Sequence, residues 1–159
     1  MSDALNHLDA REGLALMAAH SVSASDMAKA TLDRIARRDK AVGAWVYCDP
    51  AEVLRCAQNT GAAAGALDGL LIGIKDNFDT ADMPTSYGSL FYDGHRPVSD
   101  AAAVAILREQ GAIVVGKTAS TEFASWPAAK TRNPRRAERT PGGSSSGSAA
   151  AESCVKVCG

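Results

Sequence analysis

The sequence is poor in aromatic residues and has no excess of either charge. Only 5% of its 159 residues are Phe, Trp or Tyr, and 17 basic side chains stand against 18 acidic ones, for a net charge of -1. A chain without a broad positive field is a poor candidate for binding nucleic acid or an anionic membrane. We therefore expect neither as a partner.

Long apolar runs are also missing. No stretch of about 18 apolar residues occurs, so the sequence offers no transmembrane helix. The N-terminal segment, MSDALNHLDAREG, is polar and acidic where a secretion signal would be basic and then apolar. The protein is therefore expected to be cytoplasmic.

Cysteine and histidine are scarce and scattered. The four cysteines are far apart except for Cys154 and Cys158, and the three histidines lie elsewhere in the sequence. A C-x-x-x-C pair needs two further ligands to hold a metal. Without a secretory signal, the thiols do not indicate a disulfide framework either. We predict no metal site and no cofactor.

The first third of the chain is predicted to be mainly helical. An apolar-rich segment spans about residues 12–19. Ser23 and Ser25 each offer an N-cap for a second helix over residues 26–38, whose apolar side chains fall on one face. This pattern is typical of a helix that packs one face against a core.

The next elements are a strand, a helix and a second strand. Residues 44–47 fit a short strand, and Pro50 suits the first turn of a helix that reaches about residue 60. The apolar run at 70–74 predicts a buried strand, which opens into a long loop to about Val98.

A helix and another strand follow that loop. Ser99 is placed to cap a helix over residues 100–110, and Gly111 suits a left-handed C-cap. Residues 112–115 are apolar and predict a buried strand. A strand, a helix and a strand in succession indicate an α/β layer.

Residues 111–118 read GAIVVGKT, which matches the P-loop pattern G-x-x-x-x-G-K-[ST]. In a P-loop the segment between the glycines is a flexible loop that follows a strand. Here residues 112–115 are themselves the predicted strand, and their amides cannot both join a sheet and bind phosphates. Nucleotide binding is the disfavoured interpretation, and Lys117 is expected to be a structural lysine at a strand end.

Residues 141–151 read PGGSSSGSAAA, with three glycines and four serines packed together before a run of alanines. A flexible linker is one interpretation. The abrupt change to helix-forming alanines, which Ser148 could cap, favours a fixed turn instead. Such a turn presents hydroxyls and amides at a helix start, where negative charge is stabilised. The residues alone leave an active-site loop and a linker equally open.

Together, four segments resemble the amidase signature family in order and spacing. They are GIKD at 73–76, GKT at 116–118, NP at 133–134 and TPGGSSSGSAAA at 140–151. The resemblance covers most of the chain from Gly69 onward. It implies a serine hydrolase that converts carboxylic amides to acid and ammonia, on an α/β fold with a mixed sheet between helices. The chain is then a partial amidase domain, with a helical region at 1–66 and the start of the catalytic core at 67–159.

The resemblance also assigns residues to a Ser-Ser-Lys triad. It makes Lys75 the base and Ser144, which follows a cis peptide bond in the family, the bridging serine. A lysine base must be neutral, which desolvation favours because it lowers the pKa. Neighbours along a strand point to opposite faces, so Asp76 is not expected to neutralise Lys75. The loop residues expected to support the site through short hydrogen bonds are Gly142, Gly143, Ser145, Ser146, Gly147 and Ser148.

One departure from the family concerns its acylated serine, which lies further along in a Gly-Gly-Ser turn. This sequence reads ESCVKVCG after Ala151 and stops at Gly159. We therefore expect a truncated amidase that is inactive alone, whose substrate in the full-length family is a small-molecule amide. The alternative is a non-catalytic remnant, or a fragment that acts only with a complementary part. Substrate identity and oligomeric state are not predicted.

Overall fold

The computed structural model describes residues 2–61 and 65–155. The α-helices are α1 (Ser2–Leu5), α2 (Ala10–Ala18), α3 (Ala24–Val42), α4 (Pro50–Gln58), α5 (Ala102–Glu109) and α6 (Ser146–Val155). The strands are β1 (Trp45–Cys48), β2 (Leu71–Lys75) and β3 (Ile113–Thr118). Single turns of 3-10 helix, Leu90–Tyr92 and Glu122–Ala124, lie in the connecting loops.

The long helix α3 has well-defined ends on both sides. Ser23 caps it, because its hydroxyl accepts from the Asp26 amide while the Asp26 carboxylate accepts from the Ser23 amide. At the other end Gly43 adopts the left-handed conformation with φ of 66°. The helix is therefore longer than the predicted 26–38, and Ser23 is the cap, not Ser25.

The strands form one mixed sheet in the order β1, β3, β2. β1 pairs antiparallel with β3, and β2 pairs parallel with β3. The parallel pair is joined through α5, which is the α/β unit that the strand and helix pattern predicts. The region expected to be helical, 1–66, thus contributes the edge strand β1 to the sheet.

The sheet separates two apolar cores. One face packs against α3, α4 and α6. The buried apolar residues of β2 and β3 on that face are Leu71, Ile113 and Val115. Those on the other face, which α5 covers, are Ile72, Ile74 and Val114. Burial on both faces explains why residues 71–74 of β2 and 113–115 of β3 show no alternation with polar residues.

A β-bulge in β3 decides which of its last side chains reaches which face. Between Ile72 and Gly73 of β2, the register on β3 advances by one extra residue. The extra residue reverses the alternation. Lys117 therefore points to the α5 side and Thr118 to the α6 side, whereas strict alternation from Val115 would place them the other way round.

Two boundaries differ from the sequence-based expectation. The strand predicted at 112–115 extends to Thr118, because its last residues pair with both β1 and β2. The prediction that Ser99 caps α5 is wrong: the helix begins at Ala102, and Ala101 stands at the cap position without a side-chain bond. The preceding Asp100 carboxylate instead accepts from the Ala81 amide at 2.8 Å.

Candidate active site

The segment of glycines and serines at residues 142–148, here called the Gly/Ser loop, lies against the C-terminal end of β3. The Ser144 carbonyl accepts from the Thr121 amide at 3.0 Å, and the Gly147 amide donates to the Ala119 carbonyl at 2.8 Å. A Cβ on Gly147 would lie 2.2 Å from the Ala119 nitrogen and 2.3 Å from the Ala44 oxygen. Only glycine allows this close approach, so the loop is a fixed turn and the linker interpretation fails.

Side chains of the loop make the short hydrogen bonds that support it. The Ser146 hydroxyl donates to the Gly142 carbonyl at 2.6 Å. The Ser148 and Thr118 hydroxyls, both buried, lie 2.8 Å apart. The prediction that Ser148 caps the alanine helix is wrong, because α6 begins two residues earlier, at Ser146. Its hydroxyl is directed at the strand instead.

The structure brings Lys75 and Ser144 together although 69 residues separate them. Lys75 ends β2, and its Nζ donates to the Ser144 Oγ at 2.6 Å. The peptide bond between Gly143 and Ser144 is cis. A Cβ on Gly143 would lie only 3.0 Å from the Thr121 methyl group, so a small residue suits this position. Ser145 is exposed, and its carbonyl accepts from the Ala149 amide in the first turn of α6.

The surroundings of Lys75 favour its neutral form. Burial lowers the pKa of Lys75 below that of an exposed lysine. Its hydrogen-bond partner is the Ser144 hydroxyl, and its register neighbour on β3 is the uncharged Thr118. A lysine that is desolvated and lacks an anionic partner can act as a base closer to neutral pH.

The adjacent carboxylate is bound elsewhere. Asp76 is 1% exposed, and its Oδ1 lies 3.3 Å from the Nζ of Lys117, which is fully buried. Asp76 also accepts from the amide and the hydroxyl of Ser86. As expected, Asp76 does not pair with Lys75.

Lys117 lies within β3 and has no access to a phosphate. Its Nζ donates to the Phe78 carbonyl at 2.9 Å and to the Thr85 hydroxyl, in addition to its contact with Asp76. Residues 113–118 of the P-loop match form β3, which agrees with the expectation that this segment is a strand and not a phosphate-binding loop. Lys117 is a structural lysine, but a fully buried one inside the strand.

A cavity of about 350 Å³ opens beside Ser144. It lies between residues 142–144 and residues 121–128, and its lining side chains carry no charge. The indole of Trp126 forms part of the wall and is 81% exposed. The volume suits a small neutral molecule next to the Ser144 hydroxyl.

The sequence-based reasoning missed three contributors to this site. The Thr121 amide, the Lys117 to Asp76 pair and the Trp126 wall were not singled out as parts of it. The GKT triplet at 116–118 was the sequence signal for the Lys117 to Asp76 pair, because Lys117 and Thr118 contact residues on opposite faces of the sheet. Of the closing cysteine pair, Cys154 is buried, and Cys158 lies outside the described residues.

A family model described as Amidase matches residues 26–156. The chain belongs to the amidase signature family. Among curated relatives of this amidase-family chain is a glutamyl-tRNA(Gln) amidotransferase subunit of Acidothermus cellulolyticus. It is 40% identical over 163 residues, a match that covers 95% of this chain and 32% of the relative. The chloroplastic/mitochondrial counterpart of Zea mays is 40% identical over 154 residues, a match that covers 86% of this chain and 28% of the relative.

Solved structures of the family show the same fold. The peptide amidase from Stenotrophomonas maltophilia superposes with a TM-score of 0.83 at 36% identity, over 91% of this chain and 34% of that one. The glutamyl-tRNA(Gln) amidotransferase subunit from Thermotoga maritima superposes with a TM-score of 0.80 at 32% identity. The match covers 96% of this chain and 33% of that one. The amidase-family chain thus spans about a third of the length of the curated relatives it matches. No helix in its described part is long and apolar enough to cross a membrane.

Proposed function

We propose that Lys75 and Ser144 are the base and the proton relay of an amidase that hydrolyses carboxylic amides to acid and ammonia. The observation that carries this proposal is the 2.6 Å contact between the Lys75 Nζ and the Ser144 Oγ. Burial favours neutral Lys75, and the Ser144 hydroxyl can then donate to it. Family membership supplies the reaction class.

The proposed proton path runs from a nucleophilic serine through Ser144 to Lys75. As the nucleophile attacks the amide carbonyl, its proton moves to the Ser144 Oγ while the Ser144 proton moves to the Lys75 Nζ. The same path in reverse delivers a proton to the departing nitrogen, which leaves as ammonia. Water then releases the acid from the acylated serine by the same route.

The 159 residues span about a third of the length of these relatives, and we propose that this part supplies the proton-transfer groups of the site. Without an acylated serine and its oxyanion donors, catalysis should be lost, since even a single oxyanion donor contributes about 10² to 10³ in rate. Ser144 could substitute as the nucleophile only if Lys75 activated it directly.

Hydrolysis of a panel of aliphatic and aromatic amides by the purified chain tests this division of roles. The expected result is ammonia release at background, with no difference from Lys75→Ala or Ser144→Ala. A serine-reactive fluorophosphonate should likewise leave Ser144 unlabelled. Ammonia release that both substitutions abolish would make Ser144 the nucleophile and overturn the assignment of a relay.

A second candidate is a fragment that acts only with a complementary polypeptide. Several large apolar side chains favour it, because Leu90, Phe91 and Val98 are 92%, 91% and 99% exposed. Exposed apolar patches mark surfaces that another polypeptide can cover. Co-expression with residues of a relative that follow its Gly/Ser loop would test this, with restored amide hydrolysis as the positive result and no association as the negative one.

A further inference from the structure

The buried charge pair beneath the site has a geometry that bears on Lys75. Lys117 and Asp76 are fully buried on the α5 face of the sheet. Lys75, next to Asp76 in the chain, points to the α6 face and meets Ser144. Two lysines and one carboxylate are therefore close together, and the carboxylate is held by the lysine that takes no part in the proposed proton path.

We propose that Lys117 is a positioning residue for the Lys75 and Ser144 pair, because it binds Asp76 and so leaves Lys75 without an anionic partner. This inference rests on the proposed function of Lys75 as a base. A carboxylate beside a lysine stabilises the charged ammonium form, which cannot accept a proton. Pairing Asp76 with a second cation cancels most of that effect.

Contacts of Lys117 show how firmly the arrangement is held. Its Nζ donates to the Phe78 carbonyl and to the Thr85 hydroxyl, which fixes the loop that follows β2. Ser86, from the same loop, donates its amide and hydroxyl to Asp76. The carboxylate therefore has partners for both oxygens on the face opposite Lys75, and has no unpaired oxygen to offer across the strand.

Other charged groups near Lys117 come from the same loop and from α5. Asp79 accepts from the Tyr87 hydroxyl at 2.6 Å, and Asp82 accepts from Arg108 at 2.7 Å. Arg108 also contacts Asp100 at 3.1 Å. These carboxylates have partners of their own, which leaves Asp76 as the carboxylate that Lys117 neutralises directly. Around Lys75, β3 and the Gly/Ser loop supply two uncharged residues, its register neighbour Thr118 and its hydrogen-bond partner Ser144.

Competitive labelling of the intact chain with a limiting amount of acetic anhydride at pH 8 tests the proposal. Mass spectrometry reads the rate at each lysine, and the exposed Lys29, Lys40 and Lys130 serve as internal references. In Lys117→Met we expect Lys75 to react about three- to tenfold more slowly, because the unpaired Asp76 carboxylate raises the pKa of Lys75. The double variant Lys117→Met/Asp76→Asn should restore the rate, since it removes the carboxylate as well.

Rescue by the double variant separates positioning from a purely structural role. If Lys117 only supported folding, the single and the double variant would change the labelling rate of Lys75 alike, and that result would overturn the proposal. Arg55→Met, which removes an exposed pair with Glu52 on α4, is the matched control and should leave Lys75 unchanged. Should Lys117→Met not fold, Lys117→Gln keeps a donor for the Phe78 carbonyl. This variant is also expected to lower the labelling rate of Lys75.

The labelling also distinguishes failure of this inference from failure of the proposed function. If Lys75 of the unmodified chain reacts like the exposed lysines, its role as a neutral base is wrong. If Lys75 reacts faster than the exposed lysines but Lys117→Met leaves its rate unchanged, the assignment of Lys75 as the base is retained. Only the positioning role of Lys117 is then refuted.

Discussion

Replacing Gly147 with alanine tests whether close packing at the Gly/Ser loop sets the site. Gly147 lies in the first turn of α6, where alanine is the better helix former by about 1 kcal/mol. Local propensity therefore predicts that Gly147→Ala stabilises the chain. The tertiary structure predicts the opposite.

The steric conflict comes from two backbone atoms. A Cβ at residue 147 would lie 2.2 Å from the Ala119 nitrogen and 2.3 Å from the Ala44 oxygen, and neither atom belongs to a flexible side chain. Overpacking of this kind costs about 1–3 kcal/mol or more. To relieve it, α6 must move away from the sheet, which breaks the Gly147 to Ala119 hydrogen bond, a further loss of about 1 kcal/mol.

We expect Gly147→Ala to lower the free energy of unfolding by a net of about 1–3 kcal/mol, after allowing for the gain in helix propensity. Urea unfolding followed by circular dichroism measures this, with sucrose present to keep both proteins folded at the start. Ala149→Gly is the matched control, because Ala149 is exposed on the same helix. That change should cost about 1 kcal/mol, by propensity alone. A Gly147→Ala protein as stable as the parent would refute the packing argument.

Other expected outcomes concern the site, the caps and the surface. Thr118→Val should lower the free energy of unfolding by about 1–3 kcal/mol, because it leaves the buried Ser148 hydroxyl unpaired, and adding Ser148→Ala should recover part of the loss in a urea titration. Ser23→Ala should cost about 1 kcal/mol by the same assay while Ser25→Ala costs little; equal effects would contradict the assigned cap. In acetic anhydride labelling, Lys75 should react faster than exposed Lys40 at pH 8, because burial lowers its pKa, and the advantage should vanish as the pH rises past the ordinary lysine pKa, where both are neutral. A constant ratio across pH would argue against a lowered pKa. Phe91→Ser should reduce self-association in sedimentation velocity, since Phe91 is 91% exposed, and unchanged association would show that this surface is not involved.

Much of the local structure could be predicted from the sequence because short-range patterns specify it. The capping box at Ser23 and Asp26 starts α3, and an apolar run gives β2. Gly111, with φ of 88°, follows α5 in the left-handed conformation that was expected there. Each of these features depends on residues close together in the chain.

Predictions failed where a local preference competed with a distant contact. Ser148 looked like a helix cap, yet its hydroxyl is directed at Thr118, 30 residues earlier, and α6 begins at Ser146. Ser99 looked like a cap for α5, yet the Asp100 carboxylate binds the Ala81 amide and the helix starts later. A capping residue does not fix a helix start when the tertiary structure supplies other partners.

The sequence by itself determined which segments supply the candidate site, since the motif around Lys75 and the Gly/Ser loop both carry the family resemblance. The tertiary structure decided how they meet. The bulge in β3 turns Lys117 to one face and Thr118 to the other. Thr118 then contacts Ser148 of the loop that carries Ser144, while Lys117 binds Asp76 on the opposite face. A bulge depends on strand pairing between segments far apart in the chain, so no local pattern specifies it.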